Sequence, residues 1–420
     1  MQTRREFLLN TAAVALTACL SRPLRALAGA RPAKRRYVVL TPTAYWEKPQ
    51  DLSRFAIDKT IPRRFVARRV GYDQHGRRGT MMTIVDDDGA NVRRVMFPGI
   101  YHSAISGAGL IYPIGAIAAL DSASLELVAC PEAASLPGDD RRFSGHAVRV
   151  PGTDAIAFGM NHYEHGKHDL ISIRDARTLK ELQVFPSYGF ELHEIRLTRD
   201  AKYFVCGHYG SYLGNGIYKD LIVYGGYDFI TKKITPPDYI YPGSVTLVDV
   251  KSGKRSRLLS DVEAGQEGHA DSDERYDVYL GNKRALLKSR PGLEKNPRFR
   301  EGVQTEPDRG EFANKAVGRG ICVAYDPVHR EVIVPKRAVL SVEITNVDTQ
   351  EVREIDFSPE LAWGRPTDYY THGLEFHPDG KHYILSTTDG FVAVERGTHR
   401  INPDMTFRLP LLIHTHLHIL

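Results

Sequence analysis

The chain has 420 residues, 25% of them charged, and its 56 Lys and Arg nearly balance 51 Asp and Glu, for a formal net charge of +5. That balance implies no strong polyanion partner such as nucleic acid, the more so because part of the positive surplus lies in the N-terminal leader. Strand-favouring residues and 36 glycines suit a chain rich in β-structure and turns.

Residues 1–30 read as an export leader. Thr3-Arg4-Arg5-Glu6-Phe7-Leu8 is a twin-arginine signal, followed by the apolar run Leu8 to Leu20, too short and too rich in alanine for a membrane span. Two cuts fit: a lipobox Leu16-Thr17-Ala18-Cys19, in which Cys19 becomes a lipidated N-terminus, or cleavage after Ala26-Leu27-Ala28. Residues 31–36 then form a basic tether. The expected location is the periplasm, with membrane contact only through a lipid anchor. Cys130, Cys206 and Cys322 would follow the protein there, as one disulfide and a thiol or with no disulfide, and their spacing matches no zinc motif.

Residues 37–420 suit one domain, an all-β propeller. A hairpin recurs along it. His146-Ala-Val-Arg-Val150 turns through Pro-Gly into Asp154-Ala-Ile-Ala-Phe158, and His193-Glu-Ile-Arg-Leu197 turns into Lys202-Tyr-Phe-Val-Cys206. His372-Gly-Leu-Glu-Phe376 leads to His382-Tyr-Ile-Leu385, and Ile321-Cys-Val-Ala-Tyr325 keeps the pattern with Ile in place of His. Earlier pairs lie at Thr80 to Phe97 and at Tyr101 to Cys130, and Gly268-His269-Ala270-Asp271 opens a further unit. Recurrence at such spacing points to propeller blades, six or seven, with seven the better fit. A ring removes exposed sheet edges, so a terminal segment is expected to pair with strands from the other end. Lys283 to Arg300, with seven Lys/Arg against one Glu, reads as a solvated loop. Tyr209 to Pro242, with seven tyrosines, interrupts one unit and reads as a lid or docking surface.

The central stretch resembles a known family. Phe143-Ser-Gly-His146, the Asn161 loop, Ser187-Tyr-Gly-Phe-Glu-Leu-His193-Glu194 and Cys206-Gly-His-Tyr-Gly210 are similar to the landmarks of the twin-arginine-exported β-propeller family filed as domain-of-unknown-function family 1513. Its typical pattern is Gly-His-Gly before one strand, Pro-His-Glu-Leu before the next and Asn-Gly-Gly after it. This chain places Leu192 where that Pro stands, and Gly207-His208-Tyr209 in place of Asn-Gly-Gly. The resemblance covers residues 143–210 well and the rest weakly. It implies a periplasmic propeller and a link with iron-uptake proteins, and it implies no established reaction.

In a propeller the innermost strand runs along the axis and the second runs back, so the start of the first strand shares a rim with the loop after the second. His146, His193 and His372 are therefore expected near one mouth of the channel. His208 and the loop carrying His162, Glu164, His165 and His168 join them there. Such imidazoles suit copper or iron, and zinc also fits. The competing reading is structural. His146 shares strand parity with Val148 and Val150, and His193 with Ile195 and Leu197, a face on which histidine commonly bridges blades by hydrogen bonds. On the opposite parity, Arg149, Arg196 and Glu375, with Glu194 beside them, indicate a hydrated channel lined by ion pairs. As a strand, the tail Leu411 to His418 puts His414, His416 and His418 on one face, either a metal site or a frayed end.

Three function classes follow. The first is a metal-binding protein accessory to metal uptake or redox chemistry. The second is a non-catalytic scaffold, monomeric, for a small ligand or a periplasmic protein partner. The third is a metal-free hydrolase or lyase using His and Glu. The sequence has no Gly-x-Ser-x-Gly elbow, phosphate loop or dinucleotide fingerprint to make the third more specific.

Overall fold

The innermost strand of the first blade comes from the last residues of the chain. In the computed structural model, Leu417–Ile419 pairs antiparallel with Arg36–Pro42, setting Tyr37 opposite Ile419 and Val39 opposite Leu417. Gly79–Asp86 and Arg93–Pro98 complete this blade outward. The structure describes residues 35–42, 79–98, 103–107, 109–114, 118–129, 141–162, 167–190, 192–208, 227–228, 233–234, 244–259, 269–280, 286–287, 322–336, 340–361, 363, 371–409, 411 and 416–420. The leader, with Arg4, Arg5 and Cys19, lies outside them, as do Cys130 and the expected tyrosine-rich lid apart from a small hairpin pairing Tyr227–Asp228 with Lys233–Ile234.

The other blades follow in chain order, each with its first strand innermost. Blade 2 runs from Ser103–Gly107 to Leu127–Ala129, and blade 3 from Arg141–Val150 to Glu181–Pro186. Blade 4 comprises Leu192–Leu197, Tyr203–His208, Ser244–Asp249 and Arg255–Leu259. Blade 5 begins at Ala270–Ser272, blade 6 at Ala324–Asp326 and blade 7 at Thr371–Phe376. Six blades are four-stranded antiparallel sheets, while blade 5 has three strands among the described residues. The expected all-β propeller is therefore present. Among the described residues helix is confined to one 3-10 turn, Pro403–Met405.

Blade order around the ring follows from the cores between sheets. Val38 and Ile84 of blade 1 pack with Ala104 and Ile111 of blade 2, and Tyr112 of blade 2 with Ile156 and Phe158 of blade 3. Ala157 and Ile171 of blade 3 meet Ile195, Phe204 and Cys206 of blade 4. The intervening Val205 points the other way, packing with Ala270 and Val278 of blade 5. A strand with period-2 alternation and apolar residues at both parities thus serves two cores, which is why these strands read as continuous apolar runs. Tyr279 of blade 5 packs with Tyr325 and Val332 of blade 6, and Ile333 and Val342 of blade 6 with Leu374 and Leu385 of blade 7. Ile384 and Phe391 of blade 7 close on Tyr37 and Val39 of blade 1. Each fully buried side chain of this size contributes about 1.5–3 kcal/mol. Cys206 and Cys322 sit buried in these cores, outside any disulfide.

The turns between third and fourth strands share one chemistry. Asp121, Asp175, Asp249 and Asn346 each accept hydrogen bonds from the backbone N–H groups two and three residues on. The fifth residue of each turn, Leu125, Leu179, Gly253 or Gln350, takes a left-handed φ of 58 to 68°.

Candidate metal centre

Four histidines converge where the innermost strands begin. His146 of blade 3, His193 of blade 4, His269 just before blade 5 and His416 just before the closing strand of blade 1 bring their ligand atoms within 4.8 Å of one another. His146 and His269 are buried, and His193 and His416 are half-buried. Among the described residues no carboxylate or thiolate joins the set.

Local backbone irregularity aims the first two. The pairing of Arg141–Val150 with its neighbour shifts register between Phe143 and Ala147, and that of Leu192–Leu197 shifts between Leu192 and Glu194. The histidine falls within the shift each time. A bulge re-aims a side chain, so the parity reading that put these rings between blades is corrected. Val150, Ile195 and Leu197 do face the inter-blade core, but His146 and His193 lie against His269 and His416. Two buried polar residues set where the His193 strand starts. Asn161 Nδ2 donates to the Leu192 carbonyl at 3.0 Å, and the Asp169 carboxylate accepts from the Leu192 N–H. A proline at 192 could not supply that N–H.

One carboxylate organises the cluster from behind. Glu194, buried at 2% exposure, takes His269 Nδ1 on Oε2 at 2.5 Å and faces His146 Nδ1 with Oε1 at 3.3 Å. A histidine that gives its Nδ1–H to a carboxylate carries its lone pair on Nε2, the tautomer a metal needs. Burial alone would raise the Glu194 pKa, but Arg196, His146 and His269 hold it well below the usual carboxylate range. Arg196 Nε donates to Glu194 at 3.1 Å and its Nη1 to the Val323 carbonyl at 2.9 Å. Asp271 sits 3.7 Å from Arg196 and 3.1 Å from Arg199, and it accepts the Tyr325 N–H at 2.8 Å. The chain of charges therefore runs from the histidines into blades 5 and 6.

The remaining expected residues are distributed as follows. His208 is not in the cluster: its buried ring lies 3.0 Å from Ser187 Oγ and 3.3 Å from the Ser244 carbonyl. The Ser187 hydroxyl in turn donates to the Asp169 carbonyl at 2.9 Å. Burial pushes the His208 pKa down to about 3. Gly189 lies directly on that ring, where a Cβ would stand 2.5 Å from it, so the Ser187-Tyr-Gly and Cys206-Gly-His motifs are two halves of one packing contact. His162 is likewise outside the cluster, at the far end of its strand, its backbone N–H held by Asp169 at 2.7 Å. His165, Glu164, His414 and the His372 side chain lie outside the described residues, although the strand carrying His372 shifts register there too. Glu375 accepts the Ile419 N–H at 3.0 Å and lies 3.5 Å from His418 Nδ1, while His418 Nε2 meets Ser106 Oγ at 2.8 Å. Arg149 is exposed and lies across Gly107 of blade 2.

Sequence reasoning did not assign His269 or His416 to this set. Gly268-His269 repeats the dipeptide Gly145-His146, a signal that was available. For His416 the signal is ring closure, which turns a tail histidine into the first residue of an innermost strand.

The fold and site thus define an all-β propeller with four imidazoles gathered on its axis. No family model matches the chain, and no curated protein matches it, so the kinship suggested by residues 143–210 remains a resemblance. Among solved structures it is similar to one described as dihydro-heme d1 dehydrogenase NirN in complex with DHE, with a TM-score of 0.44 and 10% identity. The match covers 81% of this chain and spans 65% of the length of that one.

Proposed function

We propose that the protein is a periplasmic metal-binding propeller that holds one iron or copper ion on His146, His193, His269 and His416, accessory to metal uptake or redox chemistry. The observation that carries this reading is the convergence of four imidazoles from four separate parts of the chain within 4.8 Å. Neutral imidazole suits first-row transition metals, and metal-ligating histidines usually give their other ring N–H to a carboxylate or carbonyl. Glu194 is placed to do that for two of the four. His193 Nε2 and His269 Nε2, 3.1 Å apart, have the separation of adjacent ligands on one ion, since two bonds of about 2.1 Å meeting near a right angle span about 3 Å. The bound ion would supply a Lewis-acidic or redox-active centre, and the protein's part is to gather and orient the rings. The twin-arginine signal at Arg4 and Arg5 supports export after folding, which would let the metal be loaded before the protein leaves the cytoplasm.

Metal analysis of protein isolated from its exporting cell is the test. About one transition-metal ion per chain, lost in His269→Asn with the far-ultraviolet spectrum unchanged, is the expected result. Native protein without stoichiometric metal overturns the proposal.

A further inference from the structure

The spacing of the four rings carries a second conclusion, about what else binds there. Their centroids give six distances. Five are short: 4.5 Å for His146–His416, 4.6 Å for His193–His269, 4.7 Å for His269–His416, 4.9 Å for His146–His193 and 5.3 Å for His146–His269. The sixth, His193–His416, is 6.4 Å.

Coordination geometries differ in this pattern. With a metal–nitrogen bond of about 2.1 Å and the ring centre roughly 1.2 Å further out, adjacent imidazoles on an octahedral ion have centroids about 4.7 Å apart and opposite ones about 6.6 Å. A tetrahedral set would show six equal distances of about 5.4 Å, and a square-planar set four short and two long. Five short and one long is the signature of an octahedron in which one pair of ligands is opposed and the other two are adjacent. His193 and His416 are the opposed pair. His146 and His269 are the adjacent pair, both backed by Glu194.

Resting on the metal reading above, we infer that the bound ion is six-coordinate, with two neighbouring positions, opposite His146 and His269, that take an anionic small molecule chelating through two oxygen atoms. The adjacency calls for a bidentate partner, because two donor atoms of one molecule fill neighbouring positions and cannot fill opposed ones. The charge calls for an anion. Among the described residues the donors are four imidazoles, which leave the ion's positive charge uncompensated, and Glu194 is one hydrogen bond removed and already shared with Arg196. The positions also lie on the side away from Glu194, so an entering carboxylate or diolate does not meet that charge. The same geometry favours metals at ease with six ligands, iron(II), manganese(II) or cobalt(II), over zinc or copper(I), which settle at four.

Cobalt(II) reads both parts directly, because its visible absorption is weak when six-coordinate and intense when four-coordinate. Metal-free mature protein would be loaded with cobalt, dialysed, analysed for metal and titrated with oxalate. The expected result is about one cobalt per chain with weak absorption, a spectral shift saturating at about one oxalate per cobalt, and a much weaker response to acetate. The same titration of His208→Gln should be unchanged. An intense four-coordinate spectrum insensitive to oxalate overturns the inference and leaves the metal site standing, as does a six-coordinate spectrum that oxalate does not alter. Failure of the wild-type chain to retain cobalt, iron or copper overturns the metal reading itself.

Discussion

His269 and His399 have much in common, and they end differently. Both are buried, and both place one ring nitrogen on a glutamate contributed by a neighbouring blade: His269 Nδ1 on Glu194 at 2.5 Å and His399 Nε2 on Glu331 at 2.9 Å. The second nitrogen of His399 meets the Tyr383 hydroxyl at 3.2 Å. The second nitrogen of His269 meets another histidine at 3.1 Å, with two more rings beside it. The seam between blades 6 and 7 thus closes its polar groups on one another, and Asp326, wholly buried, is paired with Arg396 and His329 there. The centre instead turns ring nitrogens of four histidines toward one another, the arrangement on which the proposed metal site rests. Burial alone does not separate a structural from a ligating histidine, and neither does a glutamate neighbour. The partner of the second nitrogen does.

The largest expected effect breaks the seam. Asp326→Ala leaves the Arg396 guanidinium, 10% exposed, without its carboxylate, and removing one partner of a buried pair costs about 3–5 kcal/mol. Urea unfolding should show that loss while metal content per folded chain stays unchanged. A drop in both would mean that the two regions are coupled. His269→Asn should do the reverse, weakening metal affinity by more than the roughly 100-fold upper range of an outer-shell change. Equilibrium dialysis against a competing chelator measures it, and the metal-free variant should unfold at nearly the wild-type urea midpoint.

Glu194→Gln sharpens the comparison further. It preserves shape and removes the charge that orients His146 and His269, so affinity should fall by about 10- to 100-fold. An unchanged affinity would assign Glu194 to pairing with Arg196 alone.

A smaller effect comes from pH. The unfolded chain protonates His208 near 6.5, while the native ring, desolvated by burial, stays neutral down to about 3. Between those values the unfolded state binds the extra proton, so stability falls as pH falls, by about 1.4 kcal/mol per unit from this group. His208→Gln should flatten the urea midpoint against pH by that slope, and an unaltered slope would mean that the ring titrates normally. Smallest of all, Val328→Ser at a 69% exposed turn position should shift stability by no more than about 0.5 kcal/mol.

Much of this protein is written locally. The repeated hairpins and their turns, the charges at Glu194, Arg196 and Glu375 and the strand-start positions of His146 and His193 follow from alternation and turn chemistry over a few residues. Those rules act between neighbours in the chain, so a sequence can carry them unaided. Two things were decided only in three dimensions. The register shifts at His146 and His193 rotate rings that strict alternation would send between blades, because a bulge depends on the partner strand as well as on its own. Membership of the site depends on ring closure: His416, far from His269 in the chain, joins it because Leu417–Ile419 is drawn in beside Arg36–Pro42 to cover an open sheet edge. An edge left by the first strands and filled by the last is a property of the whole ring, which no local stretch of residues contains.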